Sequence, residues 1–259
     1  MQNLKRIVIK VGSSVILKET GELNYGCLKS LAAEIANIQK KREVIIVSSG
    51  AIGIGKTILG RNKPGNLSEK QALAAVGQAQ LIHVYKNLFS KYNIQVGQIL
   101  LTREDLNDRK RYMNARNTIS RLLEHRIVPV INENDTVAVE EIKFGDNDTL
   151  SALIASKMDA DLLIILSDVD GVYKKYEKRE MGVIRKVNLK NVKGICTDTR
   201  AASAFGTGGI TTKIEAAKIV MASGIPMVIA HGHHRGIIKR LVSEFEREKE
   251  TGTWFIPEA

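Results

Sequence analysis

The chain has 259 residues, 44% of them hydrophobic and 26% charged, an ordinary composition for a folded protein that can bury a core without disulfide or metal staples. Four prolines, two cysteines and no low-complexity tract exclude collagen-like, disordered and disulfide-scaffold classes. A net charge of +11 suits anionic ligands, whether phosphates, carboxylates or nucleic acid, without choosing among them.

In chain order, short β-branched runs at 7–9, 44–47, 127–131, 162–166 and 227–229 alternate with helical stretches at about 25–40, 68–91, 113–124, 148–157 and 211–222. The apolar runs are continuous rather than alternating, which is how a parallel strand covered on both faces reads. Strand–helix alternation therefore predicts an α/β sandwich with a mainly parallel sheet. The segment 171–200 is the least regular and is rich in Lys and Arg, and reads as a small hairpin excursion or a flap. The N-terminal apolar stretch is too short for a signal-peptide core, and no run approaches the length of a membrane span. Cys27 and Cys196 form no C-x-x-C pair, so a cytoplasmic protein with two reduced thiols is expected.

The first strands end in polar, glycine-bearing turns, and ligands of open α/β sheets bind at such carboxyl ends. Residues 50–57, Gly-Ala-Ile-Gly-Ile-Gly-Lys-Thr, match the P-loop pattern G-x-x-x-x-G-K-[ST] literally. Against a P-loop, a complete strand–turn–helix precedes the motif, and stronger signals elsewhere would be left unused. One is Lys10-Val11-Gly12-Ser13-Ser14, where Gly12 admits a close backbone approach, although Lys10 taken alone reads as an ordinary solvated lysine at a strand end. Another is Gly206-Thr207-Gly208-Gly209-Ile210-Thr211-Thr212-Lys213, a glycine-rich entry to a helix that suits phosphate. Lys213 falls in the first turn, where a cation opposes the helix dipole unless an anion is near. Ile131 to Thr136 places Asn132, Glu133, Asn134 and Asp135 directly after a buried strand, as a binding edge or an Asx-rich turn. Asp146-Asn147-Asp148 holds more carboxylate and amide than one helix cap needs. The run His231-Gly232-His233-His234 reads as a surface loop.

The runs KVGSS, IVSSGAIGIG, ALAAVGQAQL, VGQILLTREDLNDRKRYMNARNT, VPVINENDTVAVEEIKFGDNDTLSALIA, LSDVDGVY and GTGGITTKIEAA occur in an order that resembles the amino acid kinase family, from Lys10 to about Ala217. The VINEND and GDND runs resemble the branch of that family whose acceptor is L-glutamate. The resemblance implies a three-layer α/β/α sandwich around a largely parallel eight-stranded sheet. It implies ATP-dependent phosphorylation of the γ-carboxylate of L-glutamate, the first step of proline synthesis, with Mg²⁺ accompanying the ATP. Lys10 and Lys213 match the two lysines that offset charge on the transferred group, and Asp148 matches the carboxylate that orients them. Gly12, Ser167, Asp168 and the run Thr207, Gly208, Gly209, Ile210, Thr211, Thr212 and Lys213 match nucleotide contacts. Ser49, Asp135 and Asn147 match glutamate-binding positions; Asn134 and Asp146 lie beside them, and Gly50 and Ala51 complete the acceptor turn. No protein-held metal ligands, nucleic-acid partner or membrane contact are expected; a homo-oligomer and inhibition by L-proline are. The family often carries a C-terminal PUA domain, and residues 1–259 read as the kinase domain without it. The competing readings are a kinase for another acid such as N-acetylglutamate, and a basic nucleic-acid-binding protein, which would lose affinity steeply with salt.

Overall fold

The computed structural model describes residues 4–61, 65–138, 147–176, 179–188, 190, 209–245 and 247–258. The elements in chain order are β1 (Arg6–Val11), α1 (Ser13–Ile16), α2 (Tyr25–Gln39), β2 (Glu43–Ser48), α3 (Ala51–Ile58), α4 (Leu67–Ser90), β3 (Val96–Leu101), α5 (Arg103–Asn107), α6 (Arg109–Glu124), β4 (Val128–Glu133), α7 (Asn147–Lys157), β5 (Leu162–Ser167), β6 (Tyr173–Tyr176), β7 (Arg179–Val183), β8 (Lys186–Val187), α8 (Ile210–Ala222), β9 (Met227–His231), α9 (Ile237–Glu244) and β10 (Thr253–Phe255).

Eight strands form one sheet in the order β3-β4-β2-β1-β5-β9-β10-β8. The first six are mutually parallel, and β10 and β8 run against them. Because successive strand residues point to opposite faces, each strand feeds two cores. Ile7, Ile9 and Val11 of β1 lie in one core with side chains of α2, α4 and α9. Val8, between them, lies in the other with side chains of α6, α7 and α8. The result is the expected three-layer α/β/α sandwich around a largely parallel sheet.

Several elements depart from the periodicity. β3 sits at the sheet edge and is only half-buried along most of its length, so it lacks the continuous apolar signature. α5 is set by a capping box in which the Thr102 backbone N–H donates to Asp105 Oδ2 (2.6 Å) and the Asp105 N–H donates to Thr102 Oγ1 (3.3 Å). α6 starts at Arg109 rather than 113 because the Asp108 carboxylate accepts the Arg111 N–H at 2.8 Å. β10 closes both cores at once, with Trp254 in one and Phe255 in the other, each fully buried.

The irregular 171–200 segment begins as a hairpin, β6 with β7, and returns to the main sheet as β8. Its base is tied to β10 where the Val172 N–H donates to Thr253 Oγ1 at 2.7 Å. Residues 191–200, with Cys196, lie outside the described residues. Cys27 is half-buried on α2 and its thiol donates to the Gly232 carbonyl (3.4 Å); burial, then the nearby Glu34 charge, pushes the thiol up to about 11.

Candidate active site

Parallel register brings the carboxyl ends of the strands into one row. Leu100 of β3 pairs with Asn132 of β4, Val47 of β2 with Ile131, Val11 with Ser48 and with Leu166, and Ser167 of β5 with His231 of β9. Asn132, Ser48, Lys10, Ser167 and His231 therefore line one edge, the edge where open α/β sheets bind ligands. A cavity of about 290 Å³ lined by Asp159, Asp161, Ser223 and Pro226 lies at the opposite edge, beside the amino ends of β5 and β9.

Strand parity explains the central cluster. Lys10 lies two residues after Val8 and so points to the face covered by α7 and α8. Asp148 in the first turn of α7 and Lys213 in the first turn of α8 meet it there. Lys10 Nζ is 2.5 Å from Asp148 Oδ1, and Lys213 Nζ is 3.2 Å from Asp148 Oδ2. Asp148 is completely buried and each lysine is 5% exposed. Burial pushes the Asp148 carboxyl up, but the two ammonium groups and their hydrogen bonds outweigh it and hold it low, at about 2. Asp148 also suits its place at a helix N-terminus, and Ser151 Oγ donates to its carbonyl at 2.6 Å, closing that first turn. The Thr212 hydroxyl lies within donating distance of Asp148 Oδ2 (3.1 Å) and of the Gly209 carbonyl (2.8 Å). Lys213 opposes its own helix dipole, and Asp148 supplies the compensating charge. Two charged groups with three N–H donors each are thus held at the sheet edge by one carboxylate.

One flank is a network of amides and hydroxyls. Gly50 takes a left-handed conformation (φ +94°), which turns the chain from β2 into α3 and presents Ser49, Gly50 and Ala51 at the edge. Asn147 Nδ2 approaches Asn132 Oδ1 (2.9 Å), Ser49 Oγ (3.0 Å) and the Ser48 carbonyl (3.2 Å). Asn132 Nδ2 donates to Gln78 Oε1 of α4 at 2.8 Å. Ser48 Oγ and Tyr85 Oη, also of α4, are 3.0 Å apart, and burial raises the Tyr85 phenol to about 12, so it stays neutral. Asn134 and Asp135 follow directly on β4, both half-buried.

The other flank carries the groups expected to meet a nucleotide. The Gly12 N–H donates to the Leu166 carbonyl (3.0 Å), binding the β1 turn to β5. Ser167 Oγ donates to Asp168 Oδ1 at 3.0 Å at the end of β5. Gly209 precedes α8 without a side-chain cap, and Ile210, Thr211 and Thr212 form its opening turn. Thr207, Gly208 and Asp146 lie outside the described residues. His231 packs against His233 and His234, and His234 Nε2 is 3.0 Å from Asp170 Oδ1.

The P-loop pattern at 50–57 is helix from Ala51 onward. From Ile54 onward its backbone N–H groups are used within the helix, Ile54 donating to the Gly50 carbonyl (2.9 Å) and Leu59 to that of Gly55 (3.0 Å), so the second half of the pattern is helix and not a phosphate-cradling loop. Gly55, the glycine before the lysine, serves packing instead. A Cβ at Gly55 would lie 2.0 Å from the Leu73 carbonyl oxygen, and one at Gly77 would lie 1.8 Å from that of Ala51, so α3 and α4 touch backbone to backbone.

Gln78, Ser48 and Tyr85 belong to the site's geometry but were not among the expected site residues, and Asn132, expected only as part of a polar binding edge or an Asx-rich turn, is the hub that joins them. The available signal was positional. Asn132 continues the Val128–Val130 parity and Ser48 the Val44–Ile46 parity, both toward the α4 face. Gln78 and Tyr85 are seven apart, hence on one side of α4.

A sequence profile described as the amino acid kinase family matches residues 5–231. Glutamate 5-kinase from Clostridium acetobutylicum is 48% identical over 99% of this chain and 96% of that protein. The same-named protein from Carboxydothermus hydrogenoformans is 47% identical over 99% of this chain and 69% of its own length. Among solved structures, carbamate kinase from Giardia lamblia bound to AMP-PNP superposes over 100% of both chains with a TM-score of 0.69 at 16% identity. UMP kinase from Bacillus anthracis covers 98% of this chain and 97% of its own, with a TM-score of 0.65 at 19% identity. These two show a shared fold.

Proposed function

The chain belongs to the amino acid kinase family, and we propose that it transfers the γ-phosphoryl group of ATP to the γ-carboxylate of L-glutamate, forming L-glutamyl 5-phosphate and ADP, the first step of proline biosynthesis. The observation that carries this reading is the buried Lys10–Asp148–Lys213 bridge set between an amide-rich flank and a glycine- and hydroxyl-bearing flank. Relatives named glutamate 5-kinase, matched over 99% of the chain, support the choice of acceptor.

The chemistry brings two anions together. A γ-carboxylate oxygen attacks the γ-phosphorus, the bond from that phosphorus to the β–γ bridging oxygen breaks, and the bridging oxygen leaves with ADP. No covalent protein intermediate is needed, so the protein's task is positioning and offsetting charge. Lys10 and Lys213 supply donors and positive charge to the equatorial oxygens, while Asp148 aims both and does not touch the substrate. Ser49, Gly50, Ala51, Asn134, Asp135, Asp146 and Asn147 hold the glutamate. Gly12, Ser167, Asp168 and the 207–213 run hold the nucleotide. Among the described residues no group of three His, Cys, Asp or Glu side chains converges as a cage. Mg²⁺ would enter with the ATP and would supply positive charge that offsets that of the phosphates. Inhibition by L-proline, assembly as a homo-oligomer and a cytoplasmic location complete the proposal. No described helix is long and apolar enough to cross a membrane.

The test is ADP release from MgATP with L-glutamate, N-acetyl-L-glutamate, L-aspartate, UMP or no acceptor. Release dependent on L-glutamate is expected. Preference for another acceptor, or release without any, would overturn the assignment.

A further inference from the structure

Gln78 has a buried side chain, 7% exposed, on a face of α4 that is otherwise apolar, between Leu73, Ala74 and Leu81. Its Nε2 is buried with no hydrogen-bond partner among the described residues. A leucine or methionine would fill such a place without an orphaned donor, so the amide is retained for its other atom. That atom, Oε1, accepts from Asn132 Nδ2 at 2.8 Å.

The amide directions along this relay fix one another. Asn132 Oδ1 accepts the Glu133 N–H (2.9 Å) and faces Asn147 Nδ2 (2.9 Å), so its Nδ2 must face Gln78. Turning Gln78 over would set a donor against that donor. Asn147 in turn points Nδ2 at Asn132, Ser49 and the Ser48 carbonyl, which leaves Oδ1 as its remaining acceptor, without a partner among the described residues. The relay starts in the α4 layer, crosses the carboxyl edge of the sheet at Asn132 and ends in the α7 layer. Next to Gln78, Gly77 meets the Ala51 carbonyl so closely that α4 abuts the acceptor turn itself.

We propose that Gln78 is a positioning residue for the acceptor: acting through Asn132, it fixes the orientation of the Asn147 and Ser49 groups that hold glutamate, without touching the substrate. The proposal rests on the functional reading above and adds a residue that none of the expected substrate or nucleotide contacts includes.

The variant Gln78→Met removes the acceptor at nearly constant volume. It exchanges one buried orphan, Gln78 Nε2, for another, Asn132 Nδ2, so the denaturation midpoint shifts little. The KM for L-glutamate rises by roughly tenfold, the equivalent of one hydrogen bond, while the KM for MgATP and kcat at saturating glutamate stay within about twofold. In a double-mutant cycle, Gln78→Met on an Asn132→Ala background lowers kcat/KM for glutamate by less than about twofold further, since the relay is already broken. An unchanged glutamate KM, an equal rise in both KM values, or fully multiplicative effects in the cycle would overturn the proposal. The unmodified chain assayed alongside separates two failures. Absence of glutamate turnover there overturns the functional reading and this proposal with it, whereas normal turnover with an unaffected Gln78→Met variant overturns the proposal alone.

Discussion

Asp148 holds two lysines by charge, and asparagine at this position keeps the shape while removing that charge. Two cations would then face each other across a neutral amide in a buried site. Breaking a buried pair in this way costs roughly 3–5 kcal/mol, and loss of aim on the phosphoryl oxygens lowers kcat by about 10²–10³-fold. Asp148→Asn is expected to show both effects in chemical denaturation and steady-state turnover; a variant with normal kcat would remove Asp148 from the mechanism. The pH dependence has a defined sign. The folded carboxyl is held at about 2, below its ordinary 3.8. Its contribution to stability is therefore complete above the ordinary value and is lost as pH falls from about 4 through about 2. An acid titration of Asp148→Asn should lack that component, and a superimposable acid limb would contradict it. At this scale the sequence is informative where chemistry strains a local rule. Lys213 opposing its helix dipole pointed to a nearby anion, and the surplus of acids at 146–148 marked a place with more carboxylate than a helix cap needs. Gln78 broke no such rule, because an amide within an apolar helical face reads as one more core position until Asn132 is seen opposite it.

The contact between α3 and α4 decides how the acceptor turn is held. Gly77→Ala would place a Cβ 1.8 Å from the Ala51 carbonyl oxygen, with backbone on both sides and no side chain able to yield. α4 would have to withdraw from the turn, at a cost of about 1–3 kcal/mol. The expected outcome is a lowered denaturation midpoint together with a raised KM for glutamate and an ATP KM less affected; equal stability and an unchanged glutamate KM would show that the contact does not position the turn. The buried central strands were legible as elements because both faces are covered and their apolar runs are unbroken. The half-exposed edge strand β3 and the short helix α5, set by two side-chain caps, carry little periodicity and were not. The P-loop pattern shows the same limit: its glycine is spent on helix packing, which a linear motif cannot distinguish from a phosphate cradle.

At the scale of the whole molecule, a charge of +11 is consistent with an enzyme that draws two anionic substrates to one sheet edge. Register and parity assemble that edge. Lys10 faces α7 and α8, Asn132 and Ser48 face α4, and β5 and β9 add Ser167 and His231. The α/β sandwich followed from alternating strands and helices, but the neighbour order of the strands depends on long-range pairings that no local pattern records. The central claim is that Lys10 and Lys213, aimed by Asp148, drive phosphoryl transfer to the γ-carboxylate of glutamate. Trapping the product with hydroxylamine in MgATP and L-glutamate tests it most directly, because an acyl phosphate is captured at the carbon that carried it. The unmodified chain is expected to yield γ-glutamyl hydroxamate, and Lys10→Ala and Lys213→Ala, each still folded, to lose at least about 10²-fold of it. Hydroxamate at the α-carboxylate, or undiminished γ-hydroxamate from either lysine variant, would contradict the claim.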